Sequence, residues 1–225
     1  MINILTPSRS RPELAKRMYD SAKRSPGCPI EIKFYLNEDD PDLDKYKSFL
    51  QPNEYIVGPN QSTSYSWNLM AEKATYDIFF LVGDDAQFTV ENWGKHIINA
   101  FNKFPDKIVC VYPRVPTLSS KKNPHFCLHR NWINALGFFL PPHFYHWYVD
   151  TYVREVAQRI NRFYCIQEFE MPIQNVKDGV SAAYHHSWQR QRDDWLWAKT
   201  ERYREKDAET LSKTIREFKL QPITK

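Results

Sequence analysis

Glycine is scarce in this chain: six residues in 225, against fifteen prolines. Ordered loops are expected rather than flexible ones. The first loop, Thr6 to Pro12 (TPSRSRP), has no glycine at all, whereas a nucleotidyltransferase normally opens on a Gly-rich phosphate loop. Cysteine is also sparse. The four, Cys28, Cys110, Cys127 and Cys165, form no CxxC and no dense framework, so free thiols in a reducing cytoplasm are expected. No apolar run approaches the ~20 residues of a membrane span, and no signal peptide is recognisable, so the expected location is cytoplasmic. Internal repeats and low-complexity segments are missing. Neither sign of charge dominates: 31 Lys and Arg face 27 Asp and Glu, a net charge of +4. That hints at an anionic partner without requiring one.

What the chain does contain is a length suited to one domain with a real core and the segment DIFFLVGDDAQFT, Asp77 to Thr89. Ile78 to Val82 reads as a buried strand that stops at Gly83, Asp84 and Asp85. Two adjacent carboxylates repel each other and lose hydration unless something positive compensates. A hard divalent cation, Mg or Mn, shared with a substrate phosphate is the usual compensation. An isolated GDD is more often a simple turn. The context on either side favours the cation.

Ile2 to Leu5 is a short apolar strand running into Thr6, Pro7 and Ser8. Pro12 suits a first helical turn, and Leu14, Met18 and Ala22 recur at helical spacing. The strand EIKFYLN follows, ending in Glu38, Asp39 and Asp40. A helix from about Ser64 to Lys73 then feeds the GDD strand. Strand, helix, strand, helix, strand predicts an α/β fold with a mostly parallel sheet covered on both faces. Ligands of such sheets bind beyond the carboxyl ends of the strands, so the tips TPSRSR, NEDD and GDD should meet in one crevice.

In this order and spacing, TPSRSRP, NEDDP, SYSWN and FFLVGDD resemble the GT-A type of nucleotide-sugar glycosyltransferase, in particular small members related to family 2. The resemblance covers roughly residues 1–200. It implies a GT-A-like, Rossmann-like domain over 1–198, with a charged helix or tail over 199–225. It also implies a nucleoside-diphosphate sugar donor, a UDP-sugar by preference, and Mn or Mg on its diphosphate. Carried over by position, Thr6, Arg9 and Arg11 line the nucleotide pocket, and Asn37 or Asp39 contacts base or ribose. Asn68 supports the donor, Asp84 faces ribose or sugar, and Asp85 ligates the metal. Many members read Asp-x-Asp where this chain has Gly83 in the first place, which makes Asp85 the firmer ligand. A late histidine often completes the metal shell, and His185, ahead of His186, occupies that place.

The second half should carry the acceptor. Trp93 to Phe104 reads as a helix, KIVCVYP as a strand, Arg130 to Leu136 as a short helix and the segment ending at Pro141 and Pro142 as an apolar strand. HFYHWYVDTYVREVAQRI reads as a helix with Tyr148, Tyr152 and Val156 on one face. Asp150, set among aromatics, should have a raised pKa suited to proton transfer, and the resemblance places the catalytic base there. The opposing reading is an ion pair to Arg154 at i+4. HFCLH and HFYH invite zinc but lack a recognised ligand spacing, so packed or hydrogen-bonded histidines are expected. WQRQRDDWLW either grips sugars, bases or phosphates or packs its tryptophans on the domain.

Small domains with a PSRSRP opening also look similar to phage-type glycosyltransferases, some of which glycosylate hydroxymethylated pyrimidines in DNA. That makes DNA the expected acceptor and host cytoplasm the setting. A glycan of lipopolysaccharide or capsule type is the alternative, and a nucleotidyltransferase or a non-catalytic binding module is the alternative of another class.

Overall fold

The computed structural model describes residues 1–116, 124–173 and 187–220. Within them, seven strands form one sheet in the order β3-β2-β1-β4-β6-β5-β7. Strands β1 (Ile2–Ser8), β2 (Ile30–Asn37), β3 (Tyr55–Gly58) and β4 (Ile78–Leu81) pair in parallel. β6 (Phe126–His129) runs antiparallel to both β4 and β5 (Cys110–Arg114), and β7 (Phe163–Glu170) returns parallel to β5. The expected α/β class with a mostly parallel sheet is what forms.

Helices cover both faces. Every side chain of β4 is buried, as expected of a central strand with no solvated face. Ile4, Phe34 and Phe80 pack with Met18, Trp93 and Phe101 from α1 (Pro12–Arg24) and α4 (Trp93–Asn102). Leu5, Tyr35 and Phe79 point the other way, where Trp67, Met70, Trp132 and Tyr152 meet them from α3 (Thr63–Glu72), α5 (Arg130–Leu136) and α6 (Val149–Arg159). The alternation along each strand does this sorting. Pro12 sits in the first turn of α1, and the Ser62 side chain caps α3 by accepting from the Tyr65 N–H.

Several elements depart from the sequence reading. Residues 138–140 form no strand. Phe139 and Leu140 are buried, and their backbone N–H groups donate to the Asn68 side chain instead of a ladder. The helix expected from residue 143 starts only at Val149, because Tyr148 takes a left-handed conformation, φ 68°. A short helix α2 (Leu43–Lys47) and the strand β3 also lie in segments that carried no expectation. At the far end, α7 (Ser187–Lys199) and α8 (Glu201–Leu220) are separate helices. Ala208, Leu211 and Ile215 of α8 join the core, and its Arg204, 3% exposed, lies over the Trp197 ring at 3.9 Å.

Candidate active site

The carboxyl ends of β1, β2 and β4 open into a cavity of about 720 Å³, inside the size range of small-molecule sites. The loop after β1 supplies Ser8, Arg9 and Arg11, β2 supplies Asn37, and the tip of β4 supplies Gly83, Asp84 and Asp85. The convergence expected of the three tips is therefore present. The opposite wall is made by Thr63, Ser66 and Trp67 of α3, by Tyr145 and His146, and by Trp188 and Gln189 of α7.

Asp84 is 1% exposed. Its Oδ1 meets Arg11 at 2.7 Å, and its Oδ2 accepts from Ser8 Oγ at 2.6 Å. Ser8 Oγ lies 2.8 Å from the Tyr46 hydroxyl, which in turn accepts from the Arg11 backbone N–H. Burial pushes the Asp84 carboxyl up to about 6, with Arg11 and Ser8 holding it from going further. Asp84 thus anchors Arg11 from beneath the cavity, and both its oxygens are already engaged. Asp85 is half-buried at the cavity wall. Its carboxyl is also pushed up by burial, against the opposing field of Arg11 and Arg17. A Cβ at Gly83 would lie 2.6 Å from Asp85 Oδ1 and 3.2 Å from His125 Cε1, so a side chain in the first place would displace the Asp85 carboxylate.

A divalent cation suits this donor set in one respect. Asp85 is a hard oxygen ligand, and a buried carboxylate of raised pKa gains from a neighbouring cation. Among the described residues no three His, Cys, Asp or Glu side chains gather to hold a metal. His185 lies outside the described residues, as does His186.

The remaining sequence candidates separate clearly. Arg9, Arg11, Asn37, Asp84 and Asp85 line the cavity. Thr6 does not: it is wholly buried, with its hydroxyl unpartnered, on the sheet face shared by Ile2 and Ile4. It lies one step below the end of β1, and the residues that reach the cavity are Pro7 and Ser8. Asp39 also stays outside the lining and forms an ion pair with Arg9 at the surface, while its neighbour Asp40 ties the two loops by accepting from the Ser10 N–H at 2.8 Å. Asn68 faces away from the cavity: it donates to Leu140 O and holds the 139–140 segment. Its helical neighbours Thr63, Ser66 and Trp67 are the ones that face the site, and the i, i+3, i+4 spacing would have found them.

Asp150 sits in the first turn of α6, outside the cavity lining. Arg154 donates to Thr151 Oγ1 at 3.3 Å and reaches Asp150 as an opposing field. Burial raises the Asp150 carboxyl, as expected from its surroundings. His143 packs on Phe144 and Tyr152, and His146 Nδ1 lies 2.6 Å from Thr63 Oγ1, so this pair is packed and hydrogen-bonded. His125 is 2% exposed, and burial pushes it down to about 4.

One residue has a role that the sequence did not announce. Asp193, fully buried, accepts from the backbone N–H groups of Tyr145, His146 and Trp147 at 2.8–3.1 Å and from Arg192 at 3.1 Å. Three successive N–H groups aimed at one point make an anion-binding nest, here filled by the chain's own carboxylate. It holds the turn that carries Tyr145 and His146 to the cavity wall.

No family model and no curated protein matches the sequence. Among solved structures the chain is similar to the mannosyltransferase PcManGT from Pyrobaculum calidifontis, solved with GDP-Man and Mn2+. The TM-score is 0.61 at 12% identity, over 96% of this chain and 72% of that one. The fold is GT-A-like. S. aureus TarS is similar at TM-score 0.58 and 9% identity, over 76% of this chain and 36% of that one. The TarS 1–349 complex with UDP-GlcNAc is similar at 0.57 and 11%, over 76% of this chain and 57% of that one. The cavity found here lies where open parallel sheets of this kind place their ligands, outside the carboxyl ends of the strands. No helix among the described residues is long and apolar enough to cross a membrane.

Proposed function

We propose that this protein is a metal-dependent glycosyltransferase that takes a nucleoside-diphosphate sugar, UDP-linked by preference, and transfers the sugar to an acceptor hydroxyl. The observation that carries the reading is the meeting of three strand tips in one cavity, with Arg9, Arg11, Asn37, Asp84 and Asp85 on its wall. The GT-A-like neighbours, one with GDP-Man and Mn2+ and one with UDP-GlcNAc, support it.

In this reading Arg11, steadied from below by Asp84, and Arg9 face the phosphate oxygens, and Asn37 faces the nucleoside. Asp85 holds Mn or Mg, with His185 proposed beside it. The bound cation supplies charge neutralisation for the departing diphosphate. Asp150 is the proposed base: lying outside the cavity lining, it would take the proton of the acceptor hydroxyl through one water as the hydroxyl oxygen bonds to the anomeric carbon and the bond to the diphosphate breaks.

Of the two acceptors, a hydroxymethylated pyrimidine in DNA is supported by the net charge of +4. Arg190 and Arg192 do not add to that support. Arg190 pairs with Asp194 at 2.9 Å and stacks over Trp147 at 4.5 Å, and Arg192 is held by Asp193 and His143 O. The glycan acceptor is favoured by Trp188, which lines the cavity while 54% exposed.

The test is a thermal-shift panel of UDP- and GDP-sugars with and without Mn, in wild type and Asp85→Ala. Ligand binding raises apparent stability by mass action. A Mn-dependent shift in wild type, lost in the variant together with ~10²–10³-fold in turnover, is expected. An undiminished Mn-dependent shift in Asp85→Ala would remove the metal assignment. Absence of donor hydrolysis or transfer would leave a binding module. Incubation of labelled donor with DNA containing 5-hydroxymethylcytosine or 5-hydroxymethyluracil, beside oligosaccharides, decides the acceptor.

A further inference from the structure

A surface helix normally turns its apolar face to the core. Helix α7 does so only at its C-terminal end, where Leu196 and Trp197 pack against the core. Its inward face carries Gln189, 3% exposed, and Asp193, 0% exposed, while Trp188 and Trp195 stand outward at 54% and 61%. The two tryptophans are seven residues apart and share one face of the helix. The polar side wins the interior because Asp193 is bound there by the N–H groups of Tyr145, His146 and Trp147. Tyr148 adds to this grip: its ring stacks on Trp197 at 5.0 Å and its hydroxyl donates to Asp194 at 2.6 Å. Burying Trp188 and Trp195 instead would turn Leu196 and Trp197 out of the core and break the Asp193 bonds. Fixed as it is, the helix displays two indoles to solvent, and large exposed apolar groups mark contact surfaces.

The chemistry of the face narrows the partner. Arg190 and Arg192, interleaved with the tryptophans, are exposed, but each pairs with an acidic residue of the same helix, Asp194 and Asp193, so this stretch carries no net charge. A nucleic acid needs Lys and Arg on its phosphates, so this face suits a neutral ligand with flat apolar surfaces. The inner indole, Trp188, belongs to the cavity wall. The outer one lies about 10.5 Å further along the helix at 1.5 Å per residue, close to the span of two pyranose rings in a chain.

We propose that Trp188 and Trp195 form a stacking platform on which a neutral oligosaccharide acceptor runs from the cavity mouth along α7. This rests on the transferase reading above and names its acceptor class. The sugar rings lie on the indoles by their C–H faces, and the chain end enters the cavity.

The test uses the full chain as wild type, Trp195→Ala and Trp195→Tyr, titrated with malto-, cello- and mannohexaose, the matching disaccharides and a DNA duplex, and followed by calorimetry. Trp195 is exposed, so both variants should melt within a few degrees of wild type. At least one hexasaccharide should bind saturably, with its disaccharide and the Trp195→Ala variant each about 10-fold weaker, a difference of ~1.4 kcal/mol. Trp195→Tyr should keep most of the affinity, because a second aromatic ring preserves stacking. Failure of all three hexasaccharides to bind, binding indifferent to Trp195→Ala, or salt-sensitive duplex binding that needs Trp195 would each overturn the proposal. Wild-type donor binding is scored separately with UDP- and GDP-sugars. A protein that binds the oligosaccharide but no donor keeps the platform and loses the transferase reading.

Discussion

The wall of the cavity built on the tips of β1, β2 and β4 and the wall built on the 145–148 turn and α7 hold their polar groups by different means. On the strand-tip wall each loop leaves a regular strand, and the charges cancel in short-range pairs: Arg11 with Asp84, Arg9 with Asp39. The sheet would keep its course without any one of these contacts, because hydrogen-bonded neighbours surround β1 and β4 on both sides. On the facing wall there is no such frame. A left-handed Tyr148 and three successive backbone N–H groups converge on Asp193. One wall is held by many replaceable contacts, whereas the other gathers its backbone donors on one buried carboxylate, with Thr63–His146 and Tyr148–Asp194 beside it.

The sharpest way to break this comparison is Asp193→Ala. It leaves three backbone donors without their acceptor, and breaking a buried charged network costs about 3–5 kcal/mol. Arg9→Ala removes a surface pair on the opposite wall, where the expected cost is under about 1 kcal/mol. Urea unfolding of both variants compares them directly. Equal costs would mean that the Asp193 nest is no more than one contact among many.

A somewhat smaller effect is expected at Asp150. Asp150→Asn keeps the shape and removes proton acceptance, so turnover should fall about 100-fold with donor affinity unchanged. Steady-state kinetics beside donor titration separates the two. Wild-type turnover in the variant would move the base elsewhere, to the exposed Glu168 on β7 or to Glu170, which the structure ties to Arg114.

The same contrast explains what could be read from the sequence. The strand-tip wall was legible because its signals are local: an apolar run, a turn and a polar tip, repeated three times. Within those tips the residue-level assignments failed where periodicity or depth along the strand was ignored. Asn68 sits one position from Trp67, and the period of 3.6 carries it to the other side of α3, while Thr6 lies one step too deep in β1 to reach the cavity. The facing wall was illegible for a physical reason. Asp193 lies 46–48 residues from the N–H groups it binds, and no local pattern announces a nest that a distant side chain will fill. For WQRQRDDWLW the sequence left a gripping surface and a helix packing its tryptophans equally open; Trp197 packs, while Trp188 and Trp195 are exposed on a helix whose seating depends on that distant bond.

The last expectation concerns two groups whose effects oppose each other on the strand-tip wall. Asp84 has a carboxyl raised by burial from 3.8 to about 6, so the folded protein keeps a proton there that the unfolded chain gives up. Its contribution to stability is present below the unfolded pKa and is lost as pH rises through about 6. His125 is lowered by burial from 6.5 to about 4, so the unfolded chain takes up a proton that the folded protein refuses. Its contribution is intact above 6.5 and is lost as pH falls toward 4. Each shift corresponds to about 3 kcal/mol across its window, and the signs are opposite, so the pair should nearly cancel between pH 4 and 6. Substitution unmasks one partner at a time. Relative to wild type, His125→Gln should gain stability on acidification from pH 6.5 to 4, and Asp84→Asn should lose it. Urea unfolding at intervals of one pH unit gives the two difference curves. Curves of the same slope would show that these buried groups do not titrate independently, and that the wall is coupled more tightly than its short-range pairs suggest.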